Sequence, residues 1–100
     1  MRHYRHEKLV IPAGEQESNA VSPNAMTMVQ TIYSPEDVLG NATVQCQTFD
    51  TPWCDLDDVF LGKASCAALP LLACSSLRVH TDMVQDTDQT FVYAYLFQEN

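Results

Sequence analysis

The sequence predicts an all-β fold, a single-domain antiparallel β-sandwich of jelly-roll-like type, and three observations lead to that class. Along residues 42–49 (ATVQCQTF) polar side chains alternate with small or apolar ones, which is the period of a half-buried strand. Similar short segments follow every ~8–12 residues, with turn-forming residues between them. No window of eleven or more residues places apolar side chains at helical spacing.

The first half of the chain predicts four strands. The first ends at Pro12, which has no amide hydrogen for a ladder, and at Gly14, which tolerates a positive φ. The second ends at the turn over residues 22–24 (SPN), and the third ends at residues 34–37 (SPED). The SPED segment predicts either a turn or one helical turn capped by Ser34. The four predicted strands cover residues 8–11, 17–21, 25–33 and 42–49.

The second half predicts shorter strands and an aromatic closing strand. A turn at residues 50–52 (DTP) precedes the first of them, and residues 57–63 have no regular pattern. The closing run FVYAYLF suits a pleated surface because aromatic and β-branched side chains pack well there. The predicted strands cover residues 53–56, 77–81 and 90–97, with residues 67–72 as either a strand or a covering loop.

The net charge of −8 is distributed unevenly along the 100 residues. Residues 1–10 hold three basic residues and one acid, whereas residues 11–100 hold two basic residues and twelve acids. We expect a flexible, extended N-terminal arm over residues 1–7 and one β-sandwich domain over residues 8–100. The basic arm either lies across an acidic neighbouring subunit or is a frayed terminus. Because the acidic body has no basic stripe, no direct nucleic-acid partner is expected.

Length and hydropathy predict a soluble protein. A chain of 100 residues can bury one hydrophobic core without metal or disulfide staples. Its longest apolar stretch, residues 67–74, contains Pro70 and is far shorter than the ~20 residues of a bilayer helix. No apolar run follows the basic residues at the start of the chain, so no secretory signal is predicted. We expect a protein of the cytoplasm with no membrane partner.

The four cysteines predict neither a zinc site nor a disulfide framework. Cys46, Cys54, Cys66 and Cys74 are eight, twelve and eight residues apart, without the close pair that makes a chelating turn. Without an export signal, a disulfide-rich scaffold is disfavoured. We interpret the cysteines as free thiols that act as small hydrophobic residues. One disulfide bridge is the alternative.

No catalytic, cofactor or metal site is predicted. His3, His6 and His80 would have to converge with a fourth ligand to hold a metal ion, and nothing in the sequence brings them together. The acidic loops lack the spacing and the glycine of a calcium loop. No serine or cysteine is placed by sequence beside an activating histidine, and no glycine-rich phosphate loop is present. We therefore do not expect an enzyme.

Three segments, taken in order, resemble small virion structural proteins of tailed bacteriophages. They are residues 11–21 (IPAGEQESNAV), 43–56 (TVQCQTFDTPWCDL) and 73–81 (ACSSLRVHT). In that group a strand ending in Ile-Pro-Ala-Gly precedes Ser-x-Ala-Val, then a Thr-Phe-Gln-Val strand that turns into Asp-Leu, then a Tyr-Leu-Arg-Leu-Arg strand. The similarity covers most of residues 8–97. This chain differs in lacking the glycine of the turn near Asp50 and in having more cysteines.

The resemblance implies a β-sandwich on the phage particle, most simply a capsid decoration (cement) protein whose partner is the major capsid protein. A site of local threefold symmetry would favour a homo-oligomer, specifically a trimer. Alternatives are a tail or neck accessory protein, a carbohydrate-binding adhesion module that uses exposed aromatic residues, and a host-factor inhibitor acting by charge mimicry. The expected location is the virion, assembled in the host cytoplasm. The residues predicted to contact the partner are Arg2, Tyr4, Arg5, Lys8, Trp53, Tyr93 and Tyr95.

Overall fold

The computed structural model describes residues 2–23, 27–70 and 74–98, with side chains for residues 4–23, 29–70 and 74–96. These residues form seven strands and no helix, so none of their segments is a helix that could cross a membrane. The strands are β1 (Arg2–Ile11), β2 (Thr27–Tyr33), β3 (Ala42–Gln47), β4 (Cys54–Asp55), β5 (Cys66–Leu69), β6 (Ser76–Thr81) and β7 (Gln89–Gln98).

The strands form two antiparallel sheets packed face to face. The four-stranded sheet has the order β1-β7-β2-β5, and the three-stranded sheet has the order β4-β3-β6. The longest ladder joins β1 to β7, from the Arg2–Gln98 pair to the Ile11–Gln89 pair. The predicted all-β, antiparallel sandwich is confirmed.

The order of the pairings is that of a jelly roll. β1 pairs with β7, β2 with β5 and β3 with β4, so the chain doubles back on itself as nested hairpins. A fourth pair is formed by residues 16–21 and β6, where bridges join Glu17 to His80 and Val21 to Leu77. Together these are the four antiparallel pairs of a jelly roll. The strand predicted at residues 17–21 is present as two isolated bridges.

The core lies between the two sheets. Along each strand alternate residues point inward, and burying each large apolar side chain contributes about 1.5–3 kcal/mol to folding. Both sheets contribute, because most inward positions of their strands are apolar. The fully buried apolar side chains include Leu9, Ile11, Ile32, Val44, Leu77, Val79, Phe91 and Tyr93.

A buried glutamine joins two loops at one end of the sandwich. Gln85 is 1% exposed, and its amide donates to the carbonyls of Leu39 at 2.9 Å and Met83 at 3.0 Å. Its amide oxygen accepts a hydrogen bond from the backbone N–H of Leu39 at 2.9 Å. Because every bond except one to the Thr81 hydroxyl is to backbone, Gln85 fixes the loop before β3 against the loop before β7.

The predicted flexible arm over residues 1–7 is wrong where the structure describes it. Residues 2–7 belong to β1, which begins at Arg2 and pairs with β7 along its whole length. The sequence predicted a strand only from residue 8 because the preceding residues are charged or polar. An edge strand with one exposed face tolerates such side chains, since its backbone is paired by β7. The sandwich domain therefore begins before residue 8.

The other strand boundaries differ from the predictions by a few residues. β3 ends at Gln47 because the chain turns there, and Phe49 adopts a left-handed φ of 57°. The sequence has no glycine in this turn near Asp50, and a non-glycine residue is strained in that conformation. Residues 34–37 form a bend rather than a helical turn, and residues 66–69 form a strand. Residues 25, 26, 71 and 72 of the predicted strands lie outside the described residues.

Candidate interaction surface

The outer side of the four-stranded sheet is mostly apolar. Register and alternation place cross-strand rows on it, such as Tyr4, Leu96 and Val29, because the residues on either side of them point into the core. We call this surface the apolar face. The outward residues of its four strands are Tyr4, His6, Lys8, Val10, Val29, Thr31, Tyr33, Cys66, Ala68, Thr90, Val92, Ala94 and Leu96.

Large side chains of the apolar face are open to solvent. Tyr4 is 65% exposed, Val29 55% and Tyr33 48%. These three and Leu96 border a shallow depression of about 170 Å³. Single exposed apolar residues are common on proteins, whereas the grouping of several on one sheet makes this face the candidate interaction surface.

The described outward positions of the apolar face also carry no negative charge. The chain has 13 acidic residues, yet none of the outward residues whose side chains the structure describes on these four strands is acidic. Among the described outward residues, Lys8 carries a positive charge, and His6 lies in the next row. In a protein of net charge −8, a face without acids can approach a neutral or acidic protein surface without like-charge repulsion.

The outer side of the three-stranded sheet has a different chemistry. The Arg78 guanidinium carbon lies 4.2 Å from the centre of the Trp53 ring, and Arg78 Nε donates to Gln45 Oε1 at 2.9 Å. Gln45 Nε2 in turn donates to Asp55 Oδ1 at 2.8 Å. These side chains therefore form a hydrogen-bonded chain across the sheet. We call this surface the polar face, and its outward residues are Thr43, Gln45, Gln47, Asp55, Ser76, Arg78 and His80.

The histidines considered as metal ligands lie on different sheets. His6 is on the apolar face, whereas His80 Nδ1 lies 3.2 Å from Glu17 Oε1 beside the polar face. The side chain of His3 lies outside the described residues. Among the residues that the structure describes, no group of three or more histidine, cysteine or acidic side chains is arranged to hold a metal ion.

The basic and aromatic residues predicted for β1 fall on two sides of the strand. Tyr4 and Lys8 belong to the apolar face and are exposed, as a contact role requires. Arg5 is exposed as well, but it is in register with Tyr95 on the opposite side of the sheet. The backbone of Arg2 is part of β1, and its side chain lies outside the described residues.

The prediction that Tyr93 and Tyr95 contact a partner is wrong. Tyr93 is 0% exposed and Tyr95 is 8% exposed, and their rings stack with centroids 5.3 Å apart. The Tyr93 hydroxyl donates to Gln30 Oε1 at 2.6 Å inside the core. The reason is the period of β7, which turns Phe91, Tyr93 and Tyr95 inward together.

Trp53 is not brought together with these tyrosines. It lies directly before β4 in the three-stranded sheet, is partly buried and packs against Arg78. Tyr93 and Tyr95 are in the core, so the exposed aromatic face required by the carbohydrate-binding alternative does not form from these residues.

Val29, Tyr33 and Leu96 belong to the apolar face, and the sequence did not identify them as contact residues. Along β2 both sides of the strand carry large side chains, with Ile32 between Thr31 and Tyr33. Alternation therefore indicates a strand but not which side faces the core. The predicted strands over residues 25–33 and 90–97 contain no acidic residue, but neither does the one over residues 42–49, so this absence does not distinguish the apolar face.

Comparisons with known proteins identify no family for this chain. No family model matches it, and no curated protein matches it. A solved structure of Bacillus endospore appendages, which form a family of disulfide-linked pili, aligns with 100% of this chain and 92% of its own chain. The sequence identity over that alignment is 10%, and the TM-score is 0.49.

Proposed function

We propose that this protein is an accessory structural subunit of a phage particle, a capsid decoration protein that attaches to the major capsid protein through the apolar face. The observation that carries this proposal is the continuous, acid-free surface with Tyr4, Val29 and Tyr33 about half exposed or more. We choose a phage particle as the assembly because three segments resemble phage virion proteins. They are residues 11–21, 43–56 and 73–81. The role is one of contact and does not include catalysis.

The free energies of burial and of association favour attachment through several linked copies over attachment of a single copy. Complete burial of one large apolar side chain contributes about 1.5–3 kcal/mol, and the principal side chains of the apolar face are already partly buried. Association costs at least about 4 kcal/mol in lost freedom of motion, so one copy binds weakly. A homo-oligomer, most simply a trimer at a local threefold site, binds more tightly because its copies bind together.

The proposal is tested by adding the purified protein to particles of the encoding phage that were grown without its gene. We expect it to sediment with the particles and to appear on the head by electron microscopy. Replacing Val29 and Leu96 by glutamate buries two carboxylates in the contact, so the affinity should fall at least ~100-fold.

The matched control changes the same charge on the polar face. Thr43→Glu with Gln47→Glu adds two negative charges at outward positions of β3 and should bind particles like the original protein. Equal loss of binding in both double variants would count against the apolar face. Attachment to the tail or neck, or no attachment, would reject the capsid assignment.

A further inference from the structure

β1 lies at the edge of the four-stranded sheet, so on one side it has no neighbour among the strands that the structure describes. On its other side it is paired with β7 from Arg2 to Ile11, with no shift of register. The unpaired N–H and C=O groups of an edge strand can hydrogen-bond an additional strand. The free side of β1 is therefore a candidate for pairing with another chain.

The hydrogen bonds of Asn19 show which residues of β1 direct their backbone groups to the free side. Asn19 Oδ1 accepts from the backbone N–H of Val10 at 2.8 Å, and Asn19 Nδ2 donates to the Lys8 carbonyl at 3.1 Å. These backbone groups point away from β7. Because alternate residues of an antiparallel ladder direct their N–H and C=O groups to the same side, those of Tyr4 and His6 also point away from β7.

Asn19 closes one end of the free side and leaves the other end open. Its amide bonds β1 at Lys8 and Val10 much as a peptide group of a neighbouring strand would. Within the described part of the chain, no backbone hydrogen bond from outside the sheet reaches Tyr4 or His6. We call the free side of residues 2–7 the open edge.

The segment that contains the open edge is basic. From Arg2 to Lys8 the chain has three basic side chains and one acid, Glu7. Arg5 and Lys8 are exposed on opposite sides of the sheet, whereas Glu7 is partly buried on the inner side. The positive charges are therefore accessible to a strand placed beside β1.

These charges disfavour a second copy of the chain as the occupant. Antiparallel pairing of two copies centred on Arg5 would set Arg5 opposite Arg5 and Arg2 opposite Lys8. Like charges directly opposite each other destabilise a pair of strands, whereas opposite charges stabilise it. The charge of β1 thus favours an acidic strand.

We propose that the open edge binds an extended acidic segment of a partner protein, which adds a strand to the four-stranded sheet. Hydrogen bonds to the backbone of Tyr4 and His6 provide the affinity, as in other cases of strand addition. Acidic side chains beside Arg5 and Lys8 provide the specificity. The rings of Tyr4 and His6 lie 6.1 Å apart and pack against alternate apolar side chains of the added strand.

The test uses the full chain and a synthetic peptide as long as the open edge, in which valine and glutamate alternate. Hydrogen exchange measured by NMR should be faster at the amides of Tyr4 and His6 than at those of Arg5 and Glu7, which point to β7. The peptide should slow exchange at Tyr4 and His6. A peptide with lysine in place of glutamate should bind at least ~10-fold more weakly at low salt.

Two controls separate backbone pairing from attraction between charges. The acidic peptide with all its backbone amides methylated keeps its carboxylates but cannot donate hydrogen bonds, so it should bind much more weakly. In the protein, His6→Pro removes an outward N–H without removing a bond to β7, and should lose binding. His6→Ala keeps that N–H and should bind like the original protein. Thermal unfolding checks both variants, and the methylated peptide needs no variant.

Several outcomes would overturn the proposal. They are unchanged exchange at Tyr4 and His6 on adding the acidic peptide, and equal binding of the lysine peptide or of the methylated peptide. Slow exchange at these amides in the free protein, together with a dimer by sedimentation, would mean that a second copy occupies the open edge. Particles do not enter these measurements, so this proposal fails or stands apart from the proposed function.

Discussion

The outer faces of the two sheets consist of the same kind of antiparallel strand but carry different side chains. On the polar face, Arg78 bonds to Gln45 and Gln45 bonds to Asp55, so these polar side chains have partners within the sheet. On the apolar face, Tyr4 and Val29 point to solvent. The contrast indicates that folding of the sandwich depends mainly on the side chains packed between the two sheets. One outer face can therefore keep an apolar surface for binding another protein.

The largest expected effect separates the two sides of β2. Ile32 is 0% exposed and faces the core, so Ile32→Ala should lower the free energy of unfolding by about 2–5 kcal/mol. Val29, three residues earlier and 55% exposed, should accept threonine with a change of about 0.5 kcal/mol or less. Urea unfolding of both variants measures the difference. A large loss for Val29→Thr would mean that the apolar face exists for stability.

A smaller effect is expected on the polar face. Arg78→Ala removes both the contact with the Trp53 ring and the hydrogen bond to Gln45, and should cost about 1–2 kcal/mol of unfolding free energy. Arg78→Lys keeps the positive charge and should lose less. Particle attachment should be unchanged in both, since this face is not the proposed contact. If the Arg78 variants attach to particles more weakly, the polar face rather than the apolar face is the contact surface.

The smallest effect concerns the charge of the apolar face. Lys8→Glu introduces an acid where the described outward residues have none, and should weaken particle attachment about 3–10-fold at low salt. Lys63→Glu makes the same charge change in an exposed loop outside the strands and is the matched control. Titrations at two salt concentrations measure both. If the two variants weaken attachment equally, net charge rather than position explains the effect.

Much of the fold was predictable because it depends on local pattern. The alternation along residues 42–47 and the turn residues around Pro12 and Gly14 act within a few positions, so strand existence and fold class follow from them. The first six residues of β1 were missed for the opposite reason. Their strand conformation depends on pairing with β7, almost the whole chain away.

The candidate site was predictable only in part. Tyr4 and Lys8 were identified from the composition of the first ten residues, and both are exposed on the apolar face. Tyr93 and Tyr95 were chosen because they are aromatic, but aromatic content is the same whether a strand turns that side inward or outward. The direction is decided by which sheet covers the strand.

Local pattern along the chain accounts for the existence of most strands, for the turns and for the acidic character of the body, because these depend on neighbouring residues. Tertiary structure decided which side of each strand is buried, and with it the division between an apolar and a polar outer face. It also paired β1 with β7, the first strand with the last, along their whole length. Such distant contacts arise only when nested hairpins bring separate segments together, and a linear pattern contains no record of that pairing.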